Sequence, residues 1–278
     1  MGAVKKVAYL QNLHTHTNFD HGINSPEEIV KKAIEKGFDS IGFSGHAYTF
    51  YSDKSYFMSP GKTKEYKKEV GRLKEAYKDK IKIFLGLEFD MYSDTEQDGY
   101  DYMIGSCHYI KIGNEYIGID RDEAHYKNII EKYFDGDGMK LAKEYFRQTA
   151  MLPQFANINI LAHFDLITKN IDRASFFDYN SKEYMNSAIE ALEILSKDIP
   201  VFEVNTGGIV RGYRKTPYPM LNIIKEMKRL GFGAVITSDC HDANFLDAYF
   251  GDAKELLKSA GYTEQMILTD NGFKAIEL

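Results

Sequence analysis

The sequence predicts an α/β fold and, within that class, a barrel of parallel strands. Strand-like and helix-like segments alternate along nearly all of the 278 residues, the order expected when strands are joined by crossover helices. Polar, metal-capable side chains recur where the strands end, and in a parallel barrel those ends converge on one face. No internal repeat, low-complexity tract or linker breaks the pattern, so residues 1–278 read as a single domain.

An apolar-rich run over residues 4–13 makes the first strand, and His14 and His16 stand at its end, two apart and so on one face of an extended chain. Ser25-Pro26-Glu27-Glu28 combines an N-cap serine, a first-turn proline and a capping glutamate. The helix it opens runs to about residue 36, with Ile29, Ala33 and Ile34 inward and Gly37 at its C-terminal cap. A second strand over 40–44 leads to His46. Residues 48–60, aromatic and without periodicity, form a loop long enough to cover a site, and a charged helix follows over 62–78. The third strand, 81–87, ends at Glu88, and the fourth, 102–106, delivers His108.

Residues 109–119 alternate as a small ribbon turning at Gly113-Asn114. Two helices, about 122–134 and 139–151, make a helical insertion spanning about 120–152. The Asp135-Gly136-Asp137-Gly138 between them lacks the spacing of a calcium loop and reads as a solvated turn. A strand over 158–162 ends in His163, and a helix over 182–196 precedes a strand over 200–205 that runs into Thr206-Gly207-Gly208. A helix over 220–230 and a strand over 233–237 lead to Ser238-Asp239-Cys240-His241. Helix 253–260 and strand 265–268 finish the chain.

With 44% apolar and 27% charged residues the chain buries a sizeable core. A net charge of −6 gives no general attraction to nucleic acid or acidic membrane, so an anionic substrate must be recognised locally. No apolar run is long enough to span a bilayer, and residues 1–6 lead into a strand rather than a secretory signal, which points to a cytoplasmic protein. Cys107 and Cys240 form neither a disulfide framework nor a metal knuckle. Each precedes a histidine of interest, so alternation turns both towards packing.

Six strand ends thus carry His14/His16, His46, Glu88, His108, His163 and Asp239/His241. Neutral imidazole and carboxylate are common ligands for zinc, iron and manganese, so this recurrence points to a common metal site rather than to generic packing. His125, among Asp122, Glu123 and Lys127, reads as a solvated helical histidine.

The set H-T-H-T, S-G-H, G-L-E, G-S-C-H, A-H and S-D-C-H resembles the polymerase-and-histidinol-phosphatase superfamily over residues 12 to about 242. Asp101 to His108, and Asn205-Thr206-Gly207-Gly208 with Arg211, Arg214 and Tyr218-Pro219, look like its histidinol-phosphate phosphatase branch. The resemblance implies a distorted seven-stranded (β/α)7 TIM-like barrel and two or three divalent ions, zinc, iron or manganese. It implies one ion held by His14, His16, Glu88 and Asp239, with Glu88 bridging to a second on His108 and His163. A third would sit on His46, His241 and His21, with Asp20 the other capable ligand beside His21.

The activity implied is hydrolysis of L-histidinol phosphate to L-histidinol and phosphate by metal-bound hydroxide. Glu88 would bridge the metals, and a metal-site water, Asp239 or His241 would protonate the leaving alkoxide. Arg211 and Arg214 are the substrate-binding candidates, because guanidinium offers paired donors to phosphate, and Arg173 is a third. Glu203 is either structural or a partner for a substrate ammonium, and the aromatic residues of 48–57 suit an imidazole-bearing substrate. Another small phosphomonoester, a nucleotide or a phosphotyrosine protein is the alternative substrate. Amidohydrolase chemistry shares H-x-H but calls for a bridging lysine where this chain has Glu88.

Overall fold

A computed structural model of the chain describes residues 9–52 and 55–278. The expected start of the first strand, residues 4–8, and the absence of a signal over residues 1–6 lie outside the described residues. Seven parallel strands form the sheet: β1 (Gln11–Asn12), β2 (Ser40–Phe43), β3 (Lys82–Asp90), β4 (Tyr102–Ser106), then, after the antiparallel ribbon β5 (Tyr109–Ile112) and β6 (Glu115–Gly118), β7 (Ile160–Leu161), β8 (Val201–Asn205) and β9 (Gly233–Thr237). The sheet order β1-β2-β3-β4-β7-β8-β9 follows the chain. A parallel bridge between Thr15 and Cys240 joins its two edges and closes the barrel.

Helices α1 (Pro26–Glu35), α2 (Pro60–Ala76), α3 (Glu123–Tyr133), α4 (Gly138–Thr149), α5 (Lys182–Leu195), the single turn α6 (Gly207–Val210), α7 (Leu221–Arg229) and α8 (Phe250–Ser259) lie in the connections. The capping box at Ser25 and Glu28 forms as expected, and Gly37 takes the left-handed φ of 78° just past the end of α1. At α2 the same Ser-Pro signal acts two residues earlier than the charge pattern suggested: Ser59 is the N-cap and Pro60 the first helical residue. No helix among the described residues is long and apolar enough to cross a membrane.

Alternation along the strands separates two apolar layers. Leu13, Phe84, Tyr102, Ile104, Ile160, Val201 and Val235 fill the barrel interior. Ile83, Leu85, Leu87, Phe202 and Val204 point outward, where residues of the helical layer such as Ile29, Val70, Leu141, Phe146 and Leu192 cover them. The residues of α3 and α4 belong to that same outer cluster.

The chain ends in an antiparallel hairpin of β10 (Glu264–Thr269) and β11 (Gly272–Glu277), of which the sequence indicated only the first strand. β11 is mostly exposed and carries little apolar periodicity. The hairpin closes the barrel floor, with Leu268 in the interior cluster and its backbone N–H donating to Gln11 Oε1 at 2.8 Å.

β3 is longer than expected, so Glu88 lies within the strand rather than after it. The ladder with β4 continues to Asp90 opposite Ser106. Gly86 faces inward between Phe84 and Glu88, and a Cβ there would come within 2.3 Å of the Tyr102 ring. Gly86→Ala is therefore expected to destabilise the protein by about 1–3 kcal/mol through overpacking, read as a lowered urea midpoint at unchanged slope.

Candidate metal centre

Glu88 stands at the middle of the barrel mouth because inward-facing Phe84 and Gly86 fix its parity along β3. Its Oε2 is 2.8 Å from His46 Nδ1, 3.3 Å from His14 Nε2 and 3.5 Å from His16 Nε2. Its Oε1 is 3.2 Å from His163 Nε2 and 3.4 Å from His108 Nε2. Asp239 Oδ1 lies 3.1 Å from His16 Nε2 and 3.7 Å from His14 Nε2. His21 and His241 approach Nε2 to Nε2 at 3.0 Å, and His241 stacks on His16 with ring centroids 4.2 Å apart.

Three overlapping sets of donor atoms result, each with all members within 4.8 Å of one another: His16, His21, His46 and His241; His14, His16 and Asp239; His46, Glu88 and His108. His16 and His46 each belong to two sets, a closer intermixing than the resemblance implied. His14 Nε2, His16 Nε2, His46 Nδ1 and Glu88 Oε2 are buried without a hydrogen-bond partner among the described residues. Each such atom costs about 1–3 kcal/mol, and atoms of this kind aimed at one another are what a divalent ion satisfies. The nitrogen and oxygen donors fit zinc, iron or manganese.

The far sides of the rings are tied down. His14 Nδ1 is 2.8 Å from Glu203 Oε2, His16 Nδ1 is 2.5 Å from Asp20 Oδ2 and His108 Nδ1 is 3.2 Å from Ser106 Oγ. A histidine held in this way turns its other nitrogen toward a metal. Asp20 also accepts from the backbone of Thr17 and His46 at 2.9 and 3.1 Å, so it backs the cluster while His21 faces it. Glu203 takes His163 N–H, Asn205 Nδ2 and Thr237 Oγ1, each at 2.8 Å. With both oxygens engaged it orients His14 and does not face the cavity, which removes the expectation that it meets a substrate ammonium.

Burial opposes charge on Glu88, but His46, His14 and His108 outweigh it and hold the carboxylate well below its usual range. Asp239 is depressed in the same way, against burial, chiefly by Arg211 and His14. His16 and His108 rise to about 9: burial works against their charge, but Asp20 and Asp239 overcome it for the first, and Glu88 and Asp90 for the second. His21 falls to about 3 through burial and the neighbouring His46 and His16. Asp239 itself adopts a left-handed φ of 47°, a conformation aspartate tolerates better than most residues.

The PHP domain family matches residues 12–207, well over half of the chain. The chain belongs to the PHP domain family. Histidinol-phosphatase of Bacillus subtilis is 26% identical over 254 residues, covering 83% of this chain and 92% of that protein. Histidinol-phosphatase of Lactococcus lactis is 27% identical over 284 residues, covering 98% and 96%. A probable histidinol-phosphatase of Schizosaccharomyces pombe is 24% identical over 267 residues, covering 87% and 83%. A crystal structure of histidinol phosphate phosphatase from Lactococcus lactis, complexed with zinc, L-histidinol and phosphate, superposes with a TM-score of 0.72 at 22% identity, covering 95% of this chain and 98% of that one. The distorted α/β barrel of this PHP domain is thus a fold already seen in solved structures.

Over the centre of this PHP domain opens a cavity of about 460 Å³. Tyr56 and Phe57 from the aromatic loop line it, as do Arg211, Arg173, Lys169 and Asp120. Arg211 lies against the centre, donating to Asp239 Oδ2 at 2.7 Å and to the Asp239 carbonyl at 3.0 Å. A Cβ on Gly207 would meet the Arg211 guanidinium at 2.9 Å and the Ser238 carbonyl at 2.8 Å, so the Gly207 position depends on a bare backbone.

Arg214 behaves otherwise. It is 3% exposed, donates to Thr168 Oγ1 at 2.6 Å, stacks over Tyr218 and sits 3.6 Å from Asp165, outside the cavity lining. The expectation that it binds substrate is corrected: its turn points inward behind Tyr218, where it holds the loop.

His125, half-buried, has its Nε2 2.9 Å from the Gly118 carbonyl and stands apart from the donor sets. Cys107 and Cys240 are free and buried in the outer core. Sequence reasoning missed Asp120, Lys169 and the backing role of Asp90, whose Oδ2 accepts from His108 N at 2.7 Å. Alternation along β3 signals Asp90, two residues beyond Glu88 on the same face, whereas nothing local marks Asp120 or Lys169. Glu203→Gln is expected to weaken metal retention by about 10–100-fold, measured by competition with a graded chelator.

Proposed function

We propose that this PHP domain hydrolyses L-histidinol phosphate to L-histidinol and inorganic phosphate. The observation that carries the reading is the gathering of unpartnered, buried imidazole nitrogens around Glu88 beneath an open cavity. Similarity to named histidinol-phosphatases over most of the chain supplies the substrate.

In this reading His14, His16, Glu88 and Asp239 would hold one divalent ion, Glu88, His108 and His163 a second, and His21, His46 and His241 a third. Zinc, iron and manganese all suit these donors. Such ions supply Lewis acidity, offsetting the charge of a dianionic phosphoryl group and acidifying water. The chain's own part is placement. Arg211, anchored on Asp239, turns its remaining N–H donors to phosphoryl oxygens. Tyr56 and Phe57 wall the imidazole and exclude water. Asp239 or His241, both lining the cavity, would relay to the leaving oxygen the proton given up by the attacking water. The substrate is small and soluble, neither nucleic acid nor membrane, and the setting is cytoplasmic.

A phosphate-release panel on the metal-loaded protein tests this, comparing L-histidinol phosphate with nucleotides, sugar phosphates and a phosphotyrosine peptide. A marked preference for L-histidinol phosphate is expected. Equal weak rates on every compound would overturn the substrate assignment, and no release at all would overturn the reaction class.

A further inference from the structure

We infer that Asp120 receives the substrate's amino group, so that the cavity selects phosphate monoesters whose leaving alcohol carries an ammonium beside the ester carbon. This rests on the reading above and deepens it. Asp120 follows the β6 strand of the ribbon and lines the cavity with His108 and Arg211. Its Oδ1 is fixed by Lys169 Nζ at 2.6 Å, and Lys169 is itself 7% exposed and packed over the Tyr213 ring at 4.1 Å. The carboxylate is therefore held in place rather than waving in solvent. Its side chain is 49% exposed, and Oδ2 takes no hydrogen bond from any other described residue.

The other carboxylates on the cavity wall are committed elsewhere. Glu88 and Asp239 sit among the donor sets, and Asp122 caps α3 by accepting from His125 N at 2.9 Å. Asp120 is the one braced by a buried lysine, on the wall with His108 and Arg211, with its second oxygen left to meet a ligand.

A fixed carboxylate close to a centre that must attract a dianion is unfavourable by simple Coulomb repulsion. The arrangement is understandable if the bound molecule brings a positive charge of its own. In L-histidinol phosphate the carbon bearing the amino group is bonded to the carbon bearing the ester oxygen, so the ammonium stays within a few bonds of phosphorus. A charged group on the wall beside His108 and Arg211 is the right neighbour for it. Asp120 does no chemistry in this role; it fixes which alcohol leaves.

The test compares wild type, Asp120→Asn and Asp120→Glu on L-histidinol phosphate and on its des-amino counterpart, which keeps the imidazole and the phosphate. Wild type is expected to favour the amine-bearing ester. Asp120→Asn is expected to lower kcat/KM for that ester by about 10–100-fold and leave the des-amino ester within about two-fold, with Asp120→Glu restoring part of the preference. Inhibition by L-histidinol should weaken in Asp120→Asn while inhibition by inorganic phosphate does not. An Asp120→Asn protein that keeps the wild-type preference, or that loses equal ground on both esters, overturns this inference alone. A wild type that hydrolyses neither ester overturns the function reading as well.

Discussion

Glu88→Gln is expected to lower phosphate release from L-histidinol phosphate by about 10²–10³-fold, the loss typical when a preorganised charge is removed from a reacting centre. Glutamine keeps the size of the side chain and its place on β3, so the fold should persist. What goes is the negative charge lying among His14, His16, His46, His108 and His163. One amide oxygen and one amide nitrogen then replace two equivalent acceptors, so the divalent ions that Glu88 would help hold lose a carboxylate ligand. Elemental analysis should show a lower metal content alongside the lost turnover, with circular dichroism unchanged. A variant with full activity and a full metal complement would sink the assignment of Glu88 to the centre.

Stripping the ions with a chelator is expected to abolish turnover, and returning zinc or manganese to restore it. Proton bookkeeping adds a second readout. In the ion-free protein His16 and His108 are raised to about 9, so both carry protons near neutral pH. A ligating imidazole must be neutral, so loading the ions releases protons into a weakly buffered solution. The sign follows directly: the lower the pH, the more protons must be displaced, and the weaker the metal retention. Metal uptake without proton release, or retention that strengthens as pH falls, would exclude these histidines as ligands.

Much of this was legible locally. The capping box at Ser25 and the ribbon turning at Gly113-Asn114 depend on residues within a few positions of each other, and both form as the sequence indicates. The placement of metal-capable residues near strand ends also survives, because parallel strands bring their C-terminal ends to one face. Less was visible where a residue's partner lies far along the chain. Glu203 is a mid-strand acid until β8 sets it behind His14, 189 residues away in sequence. Arg214 looked like a phosphate ligand by type, yet its guanidinium turns to Thr168 and Asp165 because its loop folds under Tyr218.

His163 shows the limit of alternation. Ile160 and Ala162 fill the barrel interior and Leu161 faces out, so strict parity would turn His163 away from the centre. β7 is only two residues long, and beyond it the chain bends, bringing His163 Nε2 to 3.2 Å from Glu88.

The sequence by itself determined the order of the barrel strands and the helices between them and the identity of the donors, since periodicity, caps and side-chain chemistry are properties of short stretches. Only the tertiary structure decided which donors share a site, which carboxylates face the cavity and which stand behind a ring. Those choices depend on barrel closure between Thr15 and Cys240 and on the close approach of strands distant in sequence, distances that no local pattern encodes.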